Sequence, residues 1–127
     1  MLEKLFQAGV EAVKGRLAVK RALTDASTQE SWNIIALGKA AESMVQGALD
    51  AGVRPRSTFL VTKHEHLTGV LPEKGLIAFE TAHPVPDESS LAAGAAAIEW
   101  LAGLPENSRL LVLVSGGASS LIEHLRL

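Results

Sequence analysis

Leu110-Leu111-Val112-Leu113-Val114-Ser115-Gly116-Gly117-Ala118-Ser119-Ser120-Leu121 is the stretch on which the fold turns. An apolar run of strand length breaks into a Ser-Gly-Gly turn, and the spacing then predicts a helix from about Ala118. Unpaired amides and the dipole at a helix start favour an anion, commonly a phosphate. No bulky side chain in this loop would keep a ligand off the backbone. The competing explanation is a tight turn whose glycines only relieve strain. Ser115 precedes the glycines rather than sitting between them, so the G-x-S-x-G nucleophile pattern is absent and acyl transfer is not expected.

Outward from that segment the periodicity alternates. Leu2, Leu5, Phe6, Val10, Val13 and Leu17 share one helical face, with Gly15 expected as a break before a second helix to about Leu23; together these form an opening helical arm over about residues 2–24. Trp32 to Leu37 predicts a buried strand. Gly38 turns it into a helix with Ala41, Met44, Val45, Ala48 and Leu49 inward, ended by Gly52. Strands are expected at Thr58–Thr62, Leu76–Thr81 and Leu110–Val114, and the connection between the first two of these is too irregular for a helix. A further helix starts at Asp87, with a stripe of Leu91, Ala95, Ile98 and Leu101 among small residues that let it lie close to a sheet, and Pro105 stops it. Strands apolar on both faces that alternate with helices predict a three-layer, doubly wound α/β domain with a mostly parallel, Rossmann-like sheet.

Composition narrows the function classes. The 127 residues are 47% apolar and 20% charged, with a net charge of −2. That suits one domain and gives no basic surface for nucleic acid or membrane. No apolar stretch approaches the roughly 18–20 residues of a membrane span, and Met1-Leu2-Glu3-Lys4 leads into an amphipathic segment rather than a signal peptide, so a cytoplasmic setting is expected. Cysteine is absent, which excludes disulfides and thiolate zinc sites. His64 and His66 read as a solvated turn, and no metal ligand is assigned.

In doubly wound sheets ligands sit beyond the carboxyl ends of the strands, so the residues after each strand are read together. Gly38-Lys39-Ala40-Ala41-Glu42 places a lysine at the positive end of a helix dipole, unfavourable by about 0.3–1 kcal/mol unless an anion is bound there. A Walker A loop is excluded, because it would need Gly at Asn33 and Ser or Thr at Ala40. A solvent-facing lysine is the plain alternative. His83-Pro84-Val85-Pro86-Asp87 is a stiff connector that could present His83 to a ligand, while Asp87 suits a helix N-cap better than chemistry.

Taken in order, Ile35-Ala36-Leu37-Gly38-Lys39-Ala40-Ala41, His83-Pro84-Val85-Pro86-Asp87 and Val114-Ser115-Gly116-Gly117-Ala118-Ser119-Ser120-Leu121 resemble the amino-terminal part of class II glycerate kinases. These proteins carry a second domain known as MOFRL, and older usage names them hydroxypyruvate reductases. The resemblance covers essentially the whole chain. The family's loop is closer to Ser-Gly-Gly-Gly-Ser-Ala-Leu, so Ala118 and Ser120 depart from it, which matters at 118 only if that position needs a positive φ.

The resemblance implies phosphoryl transfer from ATP, with Mg²⁺, to D-glycerate, giving 2-phosphoglycerate. It implies that Lys39 is catalytic, neutralising charge on phosphate or carboxylate. Gly38, Ser115, Gly116, Gly117 and Ser119 would bind phosphate or substrate, with His83 and Asp87 as further substrate contacts. Such chemistry rests mainly on positioning and electrostatics. A dehydrogenase is not expected, since no G-x-G-x-x-G follows a strand. A non-catalytic α/β module that binds a phosphorylated metabolite or mediates association stays open. Family members are several times longer and place the site between two domains. With no second domain present and the first expected to be incomplete, the chain alone should not turn over. Its sheet should have a bare edge that pairs with another copy or with a missing carboxyl-terminal portion.

Overall fold

The computed structural model describes residues 14–23, 32–82 and 87–122. Helical residues 14–23 form α1, followed by β1 (Trp32–Leu37), α2 (Ala41–Asp50), β2 (Ser57–Lys63), β3 (Leu76–Thr81), α3 (Glu88–Ala102), β4 (Arg109–Val114) and α4 (Ala118–Leu121). The strands form one sheet in the order β3-β2-β1-β4, with every pair parallel. This is the predicted α/β class. The strands match their expected ranges at β1 and β3, and extend by one residue at each end of β2 and at the start of β4.

Two apolar clusters sandwich the sheet, because β1 and β2 are apolar on both faces. On one face Ile34, Ala36, Leu60 and Leu113 pack with Met44, Val45 and Ala48 of α2. On the other Ile35, Phe59 and Val61 pack with Ala93 and Ala97 of α3 and with Leu121. The Phe59 ring lies 5.6 Å from both Phe79 and Trp100.

One expectation is corrected. The inward face of α3 is Ser90, Ala93, Gly94 and Ala97, whereas Ile98 and Leu101 of the expected stripe are 46% and 39% exposed. The helix lies so close to the aromatic floor that small residues face it, with Trp100 reaching the Phe59 ring, while Ile98 and Leu101 point away. The described helix α1 runs to Leu23, as expected for the second helix of the opening arm, and Gly15 lies near its start, where an added Cβ would sit 3.5 Å from Ala40 and 3.6 Å from Met44. The part of the opening arm before residue 14 lies outside the described residues.

Seating of α1 on α2 is close at Gly47. A side chain there would overlap the carbonyl of Arg16 and lie 3.1 Å from Val19 Cβ. Arg16 also clasps Asp50 with two hydrogen bonds, of 2.6 and 3.1 Å. No described helix is long and apolar enough to cross a membrane.

Candidate functional site

The strand order reverses between β1 and β4, so their carboxyl ends flank the switch point where open α/β sheets bind ligands. From β1 the chain passes to α2 on one face; from β4 it passes to α4, whose Leu121 is buried on the other. The loops Gly38-Lys39-Ala40 and Ser115-Gly116-Gly117 therefore meet at the crevice.

They are interlocked by hydrogen bonds. Ser115 N–H donates to the Leu37 carbonyl at 2.9 Å, and Lys39 N–H donates to the Gly116 carbonyl at 3.0 Å. The Ser115 hydroxyl accepts from Ala40 N–H at 3.0 Å. Ala40 is the N-cap of α2 and has no side-chain cap of its own. Ser115 thus serves the first turn of α2 from a strand 75 residues away in sequence. Gly38 has φ +119°, and a Cβ there would overlap the Ser115 hydroxyl and lie 2.6 Å from its carbonyl oxygen. Glycine at 38 supplies the clearance that lets the loops touch, beyond serving the turn.

The side chain of Lys39 is exposed at this junction. A Cβ added to exposed Gly116 would have nothing within 4 Å, so the backbone is open to a ligand. The left-handed turn is taken by Gly117, at φ +84°, leaving Ala118 as the first residue of α4. Glu65 is the one non-glycine with positive φ among the described residues, so the departure from the family pattern at 118 brings no strain. Ser119 is exposed beside this turn.

His83 lies outside the described residues. Asp87 caps α3, accepting from Ser89 N–H at 2.9 Å and from the Ser89 hydroxyl, with Ser90 completing a capping box. The Ser89 hydroxyl, above all, holds its carboxyl below the ordinary carboxylate value; burial opposes this, and the backbone N–H groups of Ser89 and Ser90 and nearby His64 add smaller effects in the lowering direction. This is the capping role that the sequence favoured for it.

Two participants escaped the sequence reading. Glu42, buried in the first turn of α2, accepts from Thr68 N–H at 3.0 Å and from the Thr68 hydroxyl at 2.5 Å. That pins the irregular 64–75 connection to α2. His66 Nδ1 lies 3.3 Å from the Lys39 carbonyl oxygen, so the His-Glu-His turn keeps His64 exposed and sends His66 toward the site. The usable signal was an acidic residue three positions after a lysine at a helix start, but its partner could not be read. Among the described residues no group of three or more His, Asp or Glu is placed to hold a metal.

A family model described as a domain of unknown function, DUF4147, matches residues 1–126. D-glycerate 2-kinase of Thermotoga maritima is 34% identical over 121 residues, covering 94% of this chain and 28% of its own. Glycerate 2-kinase of Pyrococcus horikoshii is 34% identical over 90 residues, 71% of this chain and 20% of that protein. A crystal structure of glycerate kinase from Thermotoga maritima superposes with TM-score 0.65 at 30% identity, over 94% of this chain and 30% of that one. The chain spans less than a third of these relatives' length, and the likeness is to their amino-terminal part. Sequence, fold and the match across the chain agree: it belongs to the DUF4147 family.

Proposed function

We propose that the chain is the amino-terminal portion of an ATP-dependent glycerate 2-kinase, and that it contributes one wall of the site where D-glycerate becomes 2-phosphoglycerate. The observation that carries this is the placement of Lys39 at the start of α2, locked to the Ser115-Gly116 loop at the switch point. An anion there would meet the ammonium, the positive end of α2 and the open backbone at Gly116 together. Lys39 and Ser119 bind and orient the anionic group, Gly116 and Gly117 offer backbone to it, and Ser115 acts by fixing the loop against α2. Gly38 keeps the two loops in contact. His83 and Asp87 are secondary candidates, and Asp87 acts by holding α3 in place.

These residues fit a phosphate or carboxylate. ATP supplies the transferable phosphoryl group when bound, and Mg²⁺ would need carboxylates from elsewhere, since the described residues hold no cluster for it. The chain alone is proposed to lack turnover and to operate in the cytoplasm.

A second role, association, is favoured by β4. Among the described residues it is an edge strand with the composition of a central one, and Val112 and Val114 are 54% and 60% exposed. The partner is a carboxyl-terminal portion of the kinase or another copy of the chain.

Titration of the purified chain with D-glycerate, 2-phosphoglycerate and ATP·Mg²⁺, followed by amide shifts, tests the site. Saturable shifts at Lys39, Gly116 and Ser119 that vanish in Lys39→Ala are expected. Binding unaffected by Lys39→Ala would sink this assignment, and turnover above that variant would overturn the claim of inactivity.

A further inference from the structure

At the opposite edge of the sheet, a cleft of about 240 Å³ opens where β2 and β3 begin. Its origin is topological. A parallel crossover usually carries a helix that covers the sheet, but residues 64–75 make the β2-to-β3 crossing without one. The connection puts Leu71 into the core beside α2 and packs Leu67 against the same cluster, and a cleft stays open beside Leu71 and Leu76. The cleft is walled by Val45 and Leu49 of α2, by Leu71 and Leu76, and by Thr58, a polar residue only 5% exposed. Arg54 and Lys74, both exposed, also line it, and among the described residues no acidic side chain does.

We propose that this cleft binds a small organic monoanion, with an apolar body against Val45, Leu49, Leu71 and Leu76 and its carboxylate between Arg54 and Lys74. Apolar walls with a few placed polar groups are the usual make-up of a small-molecule site. An apolar cavity of about 150 Å³ accommodates benzene, so this larger cleft takes a six-carbon chain or a substituted ring. The two cations select charge: a carboxylate at the mouth is paired, whereas an amine meets like charge. Arg54 is already oriented, since its Nη1 donates to the carbonyls of Val53 at 3.1 Å and Leu49 at 3.4 Å. The site is separate from Lys39 and Ser115, which lie beyond the carboxyl ends of the strands, and does not depend on the kinase assignment.

The test is titration of the isotope-labelled 127-residue chain with hexanoate, 1-hexanol and hexylamine, read by amide shifts. Hexanoate is expected to give saturable shifts at Leu49, Thr58, Leu71 and Leu76, and hexanol to bind about tenfold more weakly, the size of one charged hydrogen bond. Hexylamine should not saturate. Lys74→Glu, a change at an exposed side chain, should weaken hexanoate about tenfold and leave hexanol unchanged. Equal affinity for hexanoate and hexanol, indifference to Lys74→Glu, shifts that map elsewhere, or no saturable binding would each overturn the proposal. The same spectra report whether the variant is folded.

Discussion

Gly38 and Ser115 share one volume: the space a side chain would need at 38 is filled by the hydroxyl and carbonyl of Ser115. Gly38→Ala is therefore expected to destabilise the chain by about 2–4 kcal/mol, combining a strained positive φ with overpacking. Adding Ser115→Ala should recover only part of this. It removes the hydroxyl, but the Ser115 carbonyl oxygen still lies 2.6 Å from the new Cβ position. Urea denaturation of the two single variants and the double variant checks the relationship, and full recovery in the double would show that the carbonyl contact is unimportant.

Asp87 makes stability depend on pH with a defined sign. Its folded pKa lies below the ordinary 3.8, first because of the Ser89 hydroxyl. The unfolded state therefore binds protons more readily, so this contribution is fully present above the unfolded value and is lost as pH falls through the folded one. Asp87→Asn retains a capping oxygen without the charge. Wild type should exceed the variant in stability at neutral pH, and the two curves should converge below about pH 4. A constant gap from pH 7 to pH 2 in chemical denaturation would contradict this.

Glu42 and Thr68 should be energetically coupled. Hydrogen bonds to charged groups contribute about 1.5–3 kcal/mol, and Glu42 makes them to both the backbone and the side chain of Thr68. Glu42→Ala is expected to cost about 2 kcal/mol and to release the Thr68 amide to hydrogen exchange. In a double-mutant cycle, Thr68→Val should cost much less once Glu42 is gone. Additive losses would mean that the carboxylate acts elsewhere.

The β4 edge should govern association. Val112→Lys and Val114→Lys alter exposed side chains and should change stability by no more than about 0.5 kcal/mol. They should suppress concentration-dependent self-association, because charge on an edge strand discourages pairing. Sedimentation across a wide concentration range separates the outcomes. A wild-type chain that stays monomeric throughout would remove the second-copy role and leave only the carboxyl-terminal portion as partner.

The strands were legible because Ile34-Ile35-Ala36 and Phe59-Leu60-Val61 are short apolar runs bounded by turn residues, a signal carried by neighbours in sequence. The inward face of α3 was misjudged for a physical reason: large apolar residues at 91, 98 and 101 formed a more conspicuous stripe than the small ones at 90, 93, 94 and 97. How near the helix lies to Phe59 decides between them. At the site, the rule about carboxyl ends of strands brought Lys39 and Ser115 into one discussion. Their interlock depends on β4 pairing with β1, a register between strands far apart in sequence. For the same reason Glu42 was visible as a residue but not as the anchor of Thr68.

The close seat of α1 on α2 has a consequence for Lys39. Gly47 rests on the Arg16 carbonyl, and Arg16 grips Asp50 at the far end of the same helix. The helix that follows Lys39 is thus clamped at its tail by the opening arm and at its head by Ser115. Sliding along its own axis would strain both ends at once, so the loop that bears the lysine is anchored to a braced strut.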